Sequence, residues 1–209
     1  MYLSQQHNFL FCHVPRTGGS SLFKHISEHV PDAERVFLQH SSMKEVQKII
    51  GADFDHLYKF AIVRNPWERL VSWHALTALN KVNYNKNSKH LELYPDSPHW
   101  KGFDEFLEKA SLQKVESFRG DWLSFSQWLQ LTDEEGNLLV NDIGRFENYA
   151  QDSKKFLLKI GVIQPFSTIV NDSNHLHYSE YYSDFGKELV TEVFKDDIVN
   201  FGYRFEDFQ

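Results

Sequence analysis

The sequence predicts an α/β fold in which a mostly parallel sheet carries helices on its faces. Three apolar runs have strand character: "NFLFCHV" (8–14), "RVFLQH" (35–40) and "LYKFAIVR" (57–64). Each is followed by residues at helical spacing, so strand and helix alternate three times. Parallel strands joined by crossover helices give that pattern, and ligands then sit beyond the carboxyl ends of the strands. With 209 residues, 41% hydrophobic and 15% aromatic, the chain can bury one good core, and 1–209 reads as a single domain.

Each element has a local cause. After the turn at 15–21, Leu22, Phe23, Ile26 and Val30 recur at helical spacing until Pro31 stops them. In "SSMKEVQKIIG", Ser42 and Glu45 form a capping-box pattern, Met43, Val46, Ile49 and Ile50 make one apolar stripe, and Gly51 ends it. "NPWERLVSWHALTALN" starts a helix with Asn65 as N-cap and Pro66 at the first helical position. The segment 81–101 is polar and longer than an ordinary connection, which marks it as either a functional loop or a mobile one. "FDEFLEKA" is a short amphipathic helix, and "GNLLVNDIGRFEN" a turn and a strand. "YAQDSKKFLLKIG" is a helix closed by Gly161. "GKELVTEVFKDDIVNFG" reads as one final helix with Leu189, Val190, Val193, Phe194 and Ile198 on one face.

Charge and composition exclude several functions. A net charge of −7 gives no basic field for duplex nucleic acid, so an anionic ligand needs a local cluster of cations. No window approaches eighteen consecutive apolar residues, and "MYLSQQHNFLF" has neither a basic n-region nor a small-residue cleavage site. The expectation is a cytoplasmic protein without a membrane segment. The single cysteine, Cys12, lies in an apolar run and reads as a buried thiol. Although there are 11 histidines, no close-set ligand pair of the HExxH or CxxC type occurs, and no metal site is expected.

"HVPRTGGSSLF" (13–23) joins the first strand to the first helix. A glycine-rich turn there offers free backbone N–H groups and the positive end of a helix dipole to an anion. Gly18 and Gly19 allow close approach, Thr17, Ser20 and Ser21 add hydroxyl donors, and Arg16 adds a fixed charge. The Lys-Ser/Thr ending that holds magnesium in an ATP loop is missing, which weakens a kinase or triphosphatase reading. A second cluster, "FAIVRNPWERLVSWH" (60–74), places Arg64 at a strand end and Ser72 about two helical turns on, near the face of Asn65 and Arg69. Arg64 and Ser72 could bracket a second phosphate; Trp67, Leu70, Val71 and Trp73 read as core.

Together "HVPRTGGSSL" and "FAIVRNPWERLVSW" closely resemble the cofactor segments of the PAPS-dependent sulfotransferases, in the branch of Golgi-type carbohydrate enzymes and their bacterial relatives. The resemblance continues through "DIGRFENYAQD" and "DDIVNFGYRF". It implies a P-loop-like three-layer α/β fold that binds 3′-phosphoadenosine 5′-phosphosulfate (PAPS) as co-substrate. Carried over by position, Pro15, Arg16, Thr17, Gly18, Gly19, Ser20 and Ser21 cradle the 5′-phosphosulfate, and Arg64 and Ser72 hold the 3′-phosphate. The family usually has lysine where this chain has Arg16.

The implied partner is a saccharide or other small hydroxyl acceptor, with no nucleic acid. Direct transfer needs a base for the acceptor proton. His40, at the end of the second predicted strand, is the candidate, with His13, His74 and His99 as alternatives. The 81–101 loop, with Lys81, Lys86, Lys89, His90, Trp100 and Lys101, is where the acceptor is expected. Two rival readings remain at this point: a P-loop kinase using ATP and magnesium, and a noncatalytic nucleotide-binding relative.

Overall fold

The computed structural model describes residues 1–37, 41–84, 102–112, 126–166 and 175–206. Contacts divide the chain into two compact units, Met1–Arg64 with Ser126–Asp172, and Asn65–Phe125 with Ser173–Gln209. Each is described in turn.

The first unit holds the sheet. Its strands are β1 (Tyr2–Ser4), β2 (Phe9–Cys12), β3 (Glu34–Arg35), β4 (Tyr58–Val63) and β5 (Asp142–Arg145), in the order β3-β1-β2-β4-β5. β2, β4 and β5 pair in parallel, while β1 is antiparallel to both β2 and β3. Among the described strands only β1 therefore opposes the others, and the sheet is mostly parallel. Side chains of β2 and β4 alternate between faces, yet all of Phe9–Cys12 and Phe60–Val63 are buried. Strands covered on both faces read as continuous apolar runs, which is why they were visible in the sequence.

On one face Phe9, Phe11, Phe60 and Ile62 form a core with Leu22, Ile26 and Val30 of α1 (Gly19–His29) and with Phe156 and Leu157 of α6 (Tyr149–Lys159). The register pairs Phe11 with Phe60, and their rings stack at 5.1 Å with Phe156 4.9 Å beyond. Such pairs add about 1 kcal/mol each to the area they bury. α2 (Met43–Ile50) begins with the predicted capping box: Ser42 Oγ accepts from the Glu45 N–H and the Glu45 carboxylate accepts from the Ser42 N–H. Gly51 ends it at φ 68°. α5 (Gln127–Leu131) completes the unit's helices. Cys12 is fully buried, and burial pushes its thiol up to about 12, which keeps it protonated and unreactive.

The second unit is helical, with α3 (Pro66–Tyr84), α4 (Phe103–Leu112), α7 (Asp184–Val193) and α8 (Lys195–Phe201). α4 packs closely on α7, because a Cβ on Gly186 would come within 2.9 Å of Asp104 and 3.0 Å of Leu107. The Tyr182 hydroxyl donates to the Trp67 carbonyl at 2.9 Å and ties the start of α3 to this group. Among the described residues no helix is long and apolar enough to cross a membrane.

Two expectations are corrected. Of the predicted strand 35–40, only Arg35 is in a strand among the described residues: β3 covers Glu34–Arg35, at the sheet edge. Phe37 sits at φ 61°, a left-handed conformation that extended backbone excludes. His40, expected at the end of that strand, lies outside the described residues. The final helix is two helices, broken at Phe194 (φ −107°, ψ 28°).

Candidate functional site

Three parallel strands deliver their carboxyl ends to one place in the first unit. From β2 the chain runs through His13, Val14 and Pro15, all buried, into the glycine turn. Arg16 adopts φ 65° and Gly18 φ 79°. For arginine that conformation costs about 1–2 kcal/mol, so the loop is held by its surroundings. Thr17 Oγ1 donates to the Val14 carbonyl at 2.9 Å, and the Tyr149 hydroxyl donates to the Gly18 carbonyl at 2.6 Å. Burial, foremost, pushes the Tyr149 hydroxyl up to about 12, so it stays a donor.

The glycines are fixed by close packing as well as by conformation. A Cβ on Gly18 would meet the Tyr149 ring at 2.6 Å, and one on Gly19 would meet the His13 ring at 2.1 Å. Gly18 is the N-cap of α1 and supplies no side-chain cap. Its carbonyl takes the Ser21 and Leu22 N–H groups at 3.0 and 3.3 Å. The N–H groups of Gly19 and Ser20, first in the helix, have no intrahelical acceptor. Ser20 is half-buried and Ser21 is buried.

Arg64 follows β4. Its Nη1 donates to the Arg16 carbonyl at 3.2 Å, and its guanidinium lies 4.0 Å over the Phe146 ring, next to β5. Arg64 thus fastens the strained residue of the loop while setting a second cation beside the first. Burial and then the charge of Arg64 lower Arg16 to about 10. The two guanidiniums are thus within electrostatic reach of one another in the loop that leads into α1.

Gln127 and Gln130, both fully buried, pin this arrangement from α5. The Gln127 side chain accepts from the Arg64 N–H at 2.9 Å and donates to the Arg64 carbonyl at 2.8 Å. Gln130 Nε2 donates to the His13 and Ser41 carbonyls at 3.4 and 3.3 Å. Sequence reading missed Gln127, Gln130, Phe146 and Tyr149 as site residues. Only Tyr149 and Phe146 carried a signal, within the "RFENY" part of the family resemblance.

Of the predicted residues, the structure brings Pro15 to Ser21 and Arg64 together. Ser72 belongs to the second unit, fully buried on α3. On the same helix Arg69 is buried with its guanidinium 5.2 Å over Phe194. Trp67, Leu70 and Val71 are core, while Trp73 is half-buried. His13 packs against Gly19 and the rings of Tyr2 and Phe11. His74 is ringed by Phe103, Phe106 and Tyr181, and burial holds it below the usual imidazole range. His99 and the loop residues Lys86, Lys89, His90, Trp100 and Lys101 lie outside the described residues, as does the Lys81 side chain.

Comparison with known proteins gives one match. A family model described as the sulfotransferase family covers residues 1–204. No curated protein and no solved structure matches. The match takes in the glycine turn, Arg64 and nearly all the rest of the chain, well beyond what a shared phosphate loop would produce. On that extent the protein belongs to the sulfotransferase family, a family of transferase enzymes that generally draw their sulfuryl group from PAPS.

Proposed function

We propose that the protein moves the sulfuryl group of PAPS to a hydroxyl of a carbohydrate or other small acceptor, releasing adenosine 3′,5′-bisphosphate. The observation that carries this reading is the bare N-terminus of α1 beside the Arg16–Arg64 pair. A compact dianion suits this corner: its charge offsets the burial and the Arg64 repulsion that lower Arg16, and it takes up the free N–H groups of Gly19 and Ser20.

When bound, PAPS supplies a sulfuryl group whose departure leaves charge on a phosphate oxygen. Arg16 and the loop N–H groups stabilise that charge as it develops. Arginine is forked where the family usually has lysine, so Arg16 can offer two parallel donors to one phosphate. On the resemblance alone, Arg64 and Ser72 grip the 3′-phosphate and His40 removes the acceptor proton. A P-loop-like three-layer domain spanning 1–209 and a cytoplasmic location belong to the same proposal. The proposed transfer needs no metal.

Labelled PAPS offered with a panel of sugars and other small hydroxyl compounds tests it. Transfer of label to a hydroxyl supports the reading; phosphoryl transfer from ATP with magnesium, and none from PAPS, would sink it. With an acceptor in hand, His40→Ala is expected to abolish transfer while bisphosphate binding survives, and unchanged turnover would remove His40 from the mechanism.

A further inference from the structure

The far end of α1 carries a cluster that the transfer reaction does not use. His25, Glu28 and His29 stand at i, i+3 and i+4, so the helix puts them on one face. One donor atom from each lies within 4.8 Å of the others. The two imidazoles are 4.5 Å apart at 38°, and Phe166 meets His25 edge-on at 5.3 Å.

Two observations point to a ligand. His25 is only 4% exposed and its Nε2 has no hydrogen-bond partner, whereas buried polar atoms are normally satisfied. His29 Nδ1 lies 2.8 Å from the His25 carbonyl. Donating that N–H fixes the tautomer with a lone pair on Nε2, the arrangement by which metal-binding histidines are usually oriented.

We propose that His25, Glu28 and His29 bind a divalent cation of the zinc class. Two imidazoles and a carboxylate are the donor set of three-ligand zinc sites, with a fourth position left for water. Magnesium and calcium select oxygen donors and are disfavoured. Ligand bonds of about 2 Å bring donors to about 3.4 Å from one another, closer than in the cluster. Glu28 is exposed and His29 half-buried, so their rotamers can close the gap around buried His25. Six helical residues, about 9 Å of rise, separate His25 from Gly19, and the ion therefore clamps the last turn of α1 instead of acting on the phosphate loop. The inference is independent of the sulfotransfer reading.

Zn²⁺ titrated into tag-free full-length protein against a chromophoric chelator tests it, with thermal melting in parallel. One ion per chain at micromolar affinity is expected, with a rise in melting temperature that Mg²⁺ does not reproduce. His29→Ala and Glu28→Gln, both away from the buried side of the helix, should weaken binding by about tenfold or more. Absence of stoichiometric binding at micromolar free Zn²⁺, equal competition by Mg²⁺, or unchanged affinity in His29→Ala would overturn the proposal.

Discussion

Two corners of this chain are built alike and finished differently. β2 turns into α1 and β4 turns into α3, each through a short loop at the strand's carboxyl end. At α3 the corner satisfies itself, because Asn65 Oδ1 accepts the N–H groups of Trp67 and Glu68 at 3.0 and 3.4 Å. At α1 the cap is Gly18, which has no side chain to give. The amides at the α3 corner are committed to the fold; those at the start of α1 have no side-chain cap, as the proposed anion site beside Arg16 and Arg64 requires. Capping therefore separates a structural corner from the one proposed to bind, although both carry an arginine after a strand end.

Substitution can break this contrast at several strengths. Gly19→Ala is the most severe, since its Cβ would sit 2.1 Å from the buried His13 ring. A loss of about 3 kcal/mol in urea unfolding is expected, together with loss of bisphosphate binding. Arg64→Ala removes one cation and the bond to the Arg16 carbonyl, and should weaken bisphosphate binding by about 2 kcal/mol, or roughly thirtyfold, in calorimetry. Asn65→Ala strips the cap from the other corner and should cost about 1 kcal/mol of stability while leaving the affinity nearly unchanged. If Asn65→Ala weakened binding as much as Arg64→Ala does, the two corners would not be functionally distinct.

The smallest effect is a pH dependence. Arg16 titrates near 10 in the folded protein because burial and Arg64 disfavour its charge. An anion favours the charged form, so binding takes up a proton once Arg16 begins to lose it. Affinity should be flat from neutral pH to about 9, fall about twofold at about pH 10, and steepen above. For stability the sign is opposite: above about pH 10 the folded state holds fewer protons than the unfolded, so this group's contribution rises with pH there.

How much could be read in advance follows from the range of each interaction. The capping box at Ser42 and Glu45, the Asn65 cap and the buried strands β2 and β4 are set by residues a few positions apart, and the sequence shows them directly. The Tyr149 bond to Gly18 spans 131 positions and the Gln127 clamp on Arg64 spans 63, so no local pattern announces either. β1 has three residues, too few for a period to register. The apolar stripe from Leu189 to Ile198 runs across the break at Phe194, so periodicity sees one helix where the backbone makes two. His25, Glu28 and His29 stand at a spacing outside the HExxH and CxxC patterns, and burial of the His25 nitrogen is what singles the cluster out.

The account rests on the claim that the open corner at α1 is a nucleotide anion site of the sulfuryl-transfer type. Calorimetric titration of the full chain with adenosine 3′,5′-bisphosphate, and separately with ATP and magnesium, tests it most directly. One bisphosphate per chain, bound more tightly than ATP and weakened roughly thirtyfold in Arg64→Ala, is the predicted result. Binding of ATP with magnesium alone, or bisphosphate binding indifferent to Arg64, would contradict it.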